Sequence, residues 1–181
     1  MKSIPKVIPH LVFFALLTIA FAATASDNKD AEAASITQAM ELYVQATPMD
    51  VNSTQRKELL DQAESILTDV IKKNPESLDA HRKLMGVYLQ KRDYRNAIQT
   101  MQSAISLSPE DPKLFIALAI LYDHSGAYEY ALPILDQALE LDPTSQMAVD
   151  YRASIQQKIE TQKLAMESTG SPHKMDMPHS K

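Results

Sequence analysis

The chain repeats itself. Two stretches, beginning at Leu78 and at Pro112, align without a gap at a spacing of 34 residues. Leu84 falls on Leu118, Tyr88 on Tyr122, Tyr94 on Tyr128, Ala97 on Ala131, Met101 on Leu135, Ala104 on Ala138 and Pro109 on Pro143. A degenerate earlier copy shows Ala63, Leu67, Ile71 and Pro75, each one period before its counterpart. A self-similarity of this length marks a supersecondary unit that cannot bury its apolar face alone and does so by stacking on the next unit.

Within a unit the apolar residues follow the helical period. Leu84, Met85 and Tyr88 share one helix face, and Ala97, Met101, Ala104 and Ile105 share another. The alanines allow two helices to approach closely. Lys91-Arg92-Asp93 forms the turn in the first full unit and Asp123-His124-Ser125-Gly126 the turn in the second, where Gly126 suits a left-handed helix end. Ser77, Asp111 and Ser145 recur at the same spacing as N-caps, and Pro112 fits the first helical position. Pro133 falls near the start of a second helix, where only a mild local adjustment is expected. The fold class expected is all-α, a solenoid of helical hairpins.

The set Leu84, Met85, Tyr88, Ala97, Met101, Ala104 and Pro109, repeated as Leu118, Ala119, Tyr122, Ala131, Leu135, Ala138 and Pro143, resembles the signature of the tetratricopeptide repeat (TPR) family. The resemblance covers roughly Leu59 to Pro143. There are two departures: Arg92 stands where the second unit has Gly126, and Gly86 lies one position later than the pattern prefers. The resemblance implies a superhelix whose concave face, lined by the first helix of each unit, holds a peptide or partner helix. Carried over residue by residue, that face comprises Asp79, Arg82, Gly86, Leu89 and Gln90, then Lys113, Ile116, Ile120, Asp123 and His124. The family's carboxylate clamp is not expected: Arg82 and Lys113 supply cations, but Gly86 and Ala117 occupy other clamp positions and the asparagines are absent.

The two ends depart from the repeat. Lys2 and Lys6 precede an apolar run from Leu11 to Ala25 that ends in Ala23-Thr24-Ala25, the order of a secretory signal peptide over residues 1–25. The run is shorter than the about 20 residues a membrane-spanning helix needs, so no stable membrane insertion is expected once it is cleaved. Residues 26–34 read as a flexible start and 35–75 as a degenerate helical unit, with Ile36, Met40, Tyr43 and Val44 as the stripe of its first helix. The units 78–111 and 112–145 follow. Residues 146–167 form a capping helix with a narrow apolar stripe of Ala148, Tyr151, Ile155 and Ile159. Residues 168–181 lack periodicity and read as a disordered tail.

Composition narrows the function. With 0 cysteines, thiol nucleophiles, Cys-ligated metals and disulfides are out, and the chain suits an oxidising compartment, periplasmic or secreted. A formal charge of −5 disfavours a nucleic-acid partner, which requires a basic surface. Only 3 glycines leave little room for a phosphate loop, and no G-x-S-x-G or H-E-x-x-H appears after residue 25, so no enzyme activity is expected. In the tail, His173, Met175, Met177 and His179 alternate, and imidazole with thioether suits copper, Cu(I) especially. The reading is therefore a non-enzymatic adaptor for a protein or peptide partner, similar to exported TPR proteins of envelope assembly, secretion or redox-protein maturation. A copper-binding accessory role of the tail is the alternative, and no other cofactor is expected.

Overall fold

A computed structural model describes the backbone of residues 10–169 and the side chains of residues 28–167. Its described residues form seven helices and no strand: α1 (His10–Ala46), α2 (Thr54–Lys73), α3 (Leu78–Gln90), α4 (Tyr94–Leu107), α5 (Pro112–His124), α6 (Tyr128–Leu141) and α7 (Gln146–Thr169). They fall into two compact units, Met1–Lys83 and Leu84–Lys181, and the division passes through α3. Among the described residues no helix is long and apolar enough to cross a membrane.

In the first unit α1 packs along α2. Ala39, Ala46, Ala63 and Leu67 are fully buried and Leu60 almost so, which sets small residues where the two helices meet. The inward stripe of α1 differs from the one expected. Ile36, Ala39 and Ala46 are buried, whereas Val44 is 63% exposed. Steps of three and seven from Ile36 keep to one helix face, and Val44 lies off it. Residues 26–34, expected to be flexible, belong to α1. The physical reason is an anchor: the Glu32 carboxylate accepts hydrogen bonds from Ser77 Oγ at 2.5 Å and Asn74 Nδ2 at 2.8 Å, tying α1 to the turn after α2. These two bonds hold the Glu32 carboxyl below its ordinary pKa.

The second unit follows the 34-residue register. Its core joins Ala119 of α5, Ala131, Leu135 and Ala138 of α6, and Ala148 and Ile155 of α7, with Tyr122, Tyr128 and Tyr151 packed around them. Both hairpin turns close in the same way. Asp93 N donates to Tyr88 O at 2.9 Å, and Ala127 N to Tyr122 O at 2.9 Å. Arg92 at φ 58° and Gly126 at φ 78° both adopt the left-handed conformation these bonds demand. The first turn thus forces an arginine into a conformation that costs about 1 kcal/mol or more relative to glycine. The caps recur too: Ser77 Oγ accepts from Ala80 N, Asp111 Oδ1 from Lys113 N and Ser145 Oγ from Ala148 N. α6 continues unbroken past Pro133, whose ring faces solvent.

α7 keeps half of the repeat. Ala148 and Ile155, one period after Leu114 and Leu121, are fully buried like them. Arg152, one period after Leu118, is half-buried and paired with Asp136, and Gln156, one period after Tyr122, is exposed. Among the described residues no second helix follows α7, which buries only the face turned toward the preceding unit.

Candidate functional site

The surface residues selected by the repeat register divide sharply once placed. On α3, Asp79 is exposed, and Arg82, Gly86, Leu89 and Gln90 are half-buried. Asp79 and Arg82 lie in the first compact unit, and Gly86, Leu89 and Gln90 in the second. A Cβ built on Gly86 would meet no atom within 4 Å, so packing does not explain a glycine in that helix interior.

On α5, Ile116 is not a surface residue. It is 4% exposed and belongs to the core with Ala148 and Ile155, because α7 packs over the α5–α6 junction and covers it. Ile120 is half-buried against the same core. Asp123 is already occupied: Lys158 Nζ of α7 donates to its two carboxylate oxygens at 2.5 and 2.7 Å, and the Tyr151 hydroxyl donates at 3.2 Å. The Asp123 side chain is only 9% exposed. The bond to Asp123 raises the Lys158 pKa, while burial, followed by the Asp123 charge, raises that of the Tyr151 hydroxyl. Lys158 Nζ also sits 5.6 Å from the centre of the Tyr128 ring, a cation–π contact. The acid predicted to meet a ligand instead fastens α7.

Two of the α5 candidates remain open, Lys113 near its start and His124 at its end, the latter stacked 6.4 Å from Tyr94 with the rings 7° from parallel. The open surface continues onto α7, which the sequence reading treated only as a cap. Extending the same register by one period from Lys113, Ile116, Ile120, Asp123 and His124 gives Met147, Asp150, Ser154, Gln157 and Lys158. All five are exposed. The Asp123–Lys158 pair places the equivalent faces of α5 and α7 side by side. An open cleft of about 530 Å³ lies at the end of this face, lined by Tyr128, Gln157, Lys158, Thr161, Gln162 and Ala165. The missed signal was the period itself, carried one step past the last full repeat.

What the face offers is recognition: amide and hydroxyl groups of Gln157, Gln162, Ser154 and Thr161, the Lys113 ammonium, the Asp150 carboxylate, the Asp123-paired Lys158 and the exposed thioether of Met147. No group of three or more metal-ligating side chains occurs among the described residues. His173, Met175, Met177 and His179 lie outside the described residues.

These features define a helical-hairpin repeat protein. Tetratricopeptide repeat models match residues 52–112 and 84–156, and the chain belongs to the tetratricopeptide repeat family. Among curated relatives, the uncharacterized protein y4yS of Sinorhizobium fredii is 26% identical over 102 residues, 54% of this chain and 56% of that protein. The chain thus spans about half the length of this relative. Among solved structures, the thermophilic TPR protein TTC0263 of Thermus thermophilus is 25% identical with a TM-score of 0.59, over 67% of this chain and 61% of that one. The second TPR domain of human RPAP3, solved in complex with the HSP70 peptide SGPTIEEVD, superposes with a TM-score of 0.50 at 18% identity, over 66% of this chain and 96% of that one.

Proposed function

We propose that the protein is a non-enzymatic adaptor that holds a partner peptide or helix on the first-helix face of its repeats, with α5 and α7 supplying the surface in the second unit. The observation that carries this reading is the division of α7: its buried half completes the core, while Met147, Asp150, Ser154 and Gln157 extend the surface that Lys113 begins. A rigid helix pair presenting polar groups of both charge signs and neutral amides and hydroxyls suits extended backbone or a helix flank, since preorganised donors and acceptors cost little further ordering on binding. The peptide complex of the RPAP3 domain supports the mode of use for this fold. The peptide itself is not carried over, since the clamp asparagines are absent here and Gly86 and Ala117 stand at other clamp positions.

We place the adaptor outside the cytosol on the strength of the leader pattern at residues 1–25 and the absence of cysteine. Expression of the full chain in its native cells, followed by mass determination of the exported form, should give a chain beginning at Ser26; an intact N-terminus retained in the cytosol would refute export. Capture of partners on the immobilised chain, with Lys113→Glu plus Met147→Glu as control, tests the adaptor. A partner kept by the wild type and lost by the variant is expected. A partner bound equally by both would remove this face.

The spacing of His173, Met175, Met177 and His179 favours a second role, Cu(I) capture by thioether and imidazole groups. A Cu(I) competition titration in which deletion of residues 168–181 leaves the copper uptake unchanged would end that reading.

A further inference from the structure

The internal repeat supplies its own control. α4 and α6 stand one period apart and bury equivalent residues, Ala97, Met101 and Ala104 in one and Ala131, Leu135 and Ala138 in the other. Their solvent faces do not match. Where α4 carries Arg95, Asn96, Gln99, Gln102 and Ser106, α6 carries Glu129, Tyr130, Pro133, Asp136 and Glu140. A polar surface with one cation, Arg95, on one helix has become on the other a surface carrying an exposed tyrosine and a proline beside three acids.

The helical period sorts the α6 residues. Tyr130, Pro133, Gln137 and Leu141 succeed one another along a rib, and Glu129, Asp136 and Glu140 run beside it. Tyr130 is 65% exposed and Leu141 41%. The Tyr130 ring is held in place by stacking on Tyr122, 5.6 Å between centres. Pro133 has no N–H, so the Glu129 carbonyl lacks its usual intrahelical donor and remains available as an acceptor. The core does not call for Tyr130, Pro133 or the acids, because α4 packs with the same register without them, whereas Leu141 has its match in Leu107, 38% exposed at the equivalent place. Placing Asp136 and Glu140 four residues apart disfavours the helix slightly, and only Asp136 is compensated, by Arg152 at 2.6 Å.

We propose that the outward face of α6 docks a basic amphipathic segment of a partner polypeptide, its apolar side against Tyr130, Pro133 and Leu141 and its cations against Glu129 and Glu140. Charge complementarity selects this occupant. A second copy meeting the same face would set acid against acid, and anionic lipid headgroups or nucleic-acid phosphates would be repelled. Tyr130 is the anchor, as a rigid, exposed aromatic of the kind that dominates binding energy. This surface is separate from the first-helix face and stands or falls without it.

The test uses the full chain and a fluorescein-labelled amphipathic helical peptide of lysine and leucine, read by anisotropy, with a glutamate–leucine peptide of the same pattern as control. Tyr130→Asn imports the residue already tolerated at the equivalent Asn96 and leaves the charge unchanged; it should weaken the lysine–leucine peptide about tenfold. Adding Glu129→Arg and Glu140→Ser, the α4 residues, should remove binding. A matched charge change on α7, Glu160→Arg with Glu167→Ser, should alter affinity less than about twofold, and Lys113→Glu with Met147→Glu should leave it unchanged. Unaltered helical circular dichroism in each variant excludes misfolding. Four results would overturn the proposal: no binding by the wild type, equal loss in the α7 control, loss in the Lys113/Met147 variant, or Tyr130-dependent capture by phosphatidylglycerol vesicles in place of the peptide.

Discussion

The hairpin turn between α3 and α4 and the one between α5 and α6 share a backbone and differ in nearly every side chain that shapes it. The first strains Arg92 into the left-handed region but caps α4 well, since Asp93 accepts from Asn96 N at 3.2 Å. The second relaxes that strain with Gly126 but starts α6 at Ala127, whose side chain caps nothing. Each turn carries one local defect the other lacks. The lesson is that the buried register, not the turn, dictates where the chain reverses: once Tyr88 or Tyr122 and the following alanine are packed, the turn residues accept the conformation left to them.

Substitutions that exchange the two repeats can break this comparison. The largest effect belongs to the shared register. Met101→Ala and Leu135→Ala both empty a site that is 1% exposed or less, and each should cost about 3 kcal/mol in chemical denaturation. A loss in only one of the two would show that the repeats are not energetically equivalent. Next come the turns, in which Arg92→Gly and Ala127→Asp should each stabilise by about 1 kcal/mol, whereas Gly126→Ala should destabilise by a similar amount. If Arg92→Gly has no effect, the arginine compensates its strain through its side chain. Gly86→Ala should raise stability by about 0.5–1 kcal/mol, because the added methyl meets open space and the helix gains propensity. If the same change also weakens partner capture, Gly86 marks a place where the ligand backbone comes close.

The smallest effect concerns the anchor of α1. Because hydrogen bonds from Ser77 and Asn74 lower the Glu32 pKa in the folded state, its contribution is complete above the ordinary carboxylate range and is lost as pH falls through the lowered folded value. Glu32→Gln should therefore weaken the first unit at neutral pH, and the difference from wild type should shrink in acid, as pH falls through the lowered folded value. Hydrogen exchange of α1 amides at neutral and acid pH reads this directly. A gap that persists unchanged into acid would mean that the bond, not the charge, holds the helix.

The fold was legible to a large degree, and for a definite reason. Repeats at a fixed period expose the packing rule twice, so Leu84 with Leu118 or Ala104 with Ala138 identify buried positions without any knowledge of what they touch. The candidate surface was less legible. Ile116 and Asp123 were assigned to a groove because the register alone says which side of a helix a residue occupies, not what the next helix does there. α7 buries Ile116 and neutralises Asp123. Glu32 was invisible for a similar reason: its partners lie 42 and 45 residues away, and no local pattern announces the contact.

By itself the sequence determined the helical period, the hairpin turns and the caps, because these depend on interactions between near neighbours or on positions that recur. Only the tertiary structure decided which of the outward residues remain available. Lys113, Met147 and the rib of α6 stay open, while Ile116 and Asp123 do not, because availability depends on which distant side chain arrives first to satisfy each group.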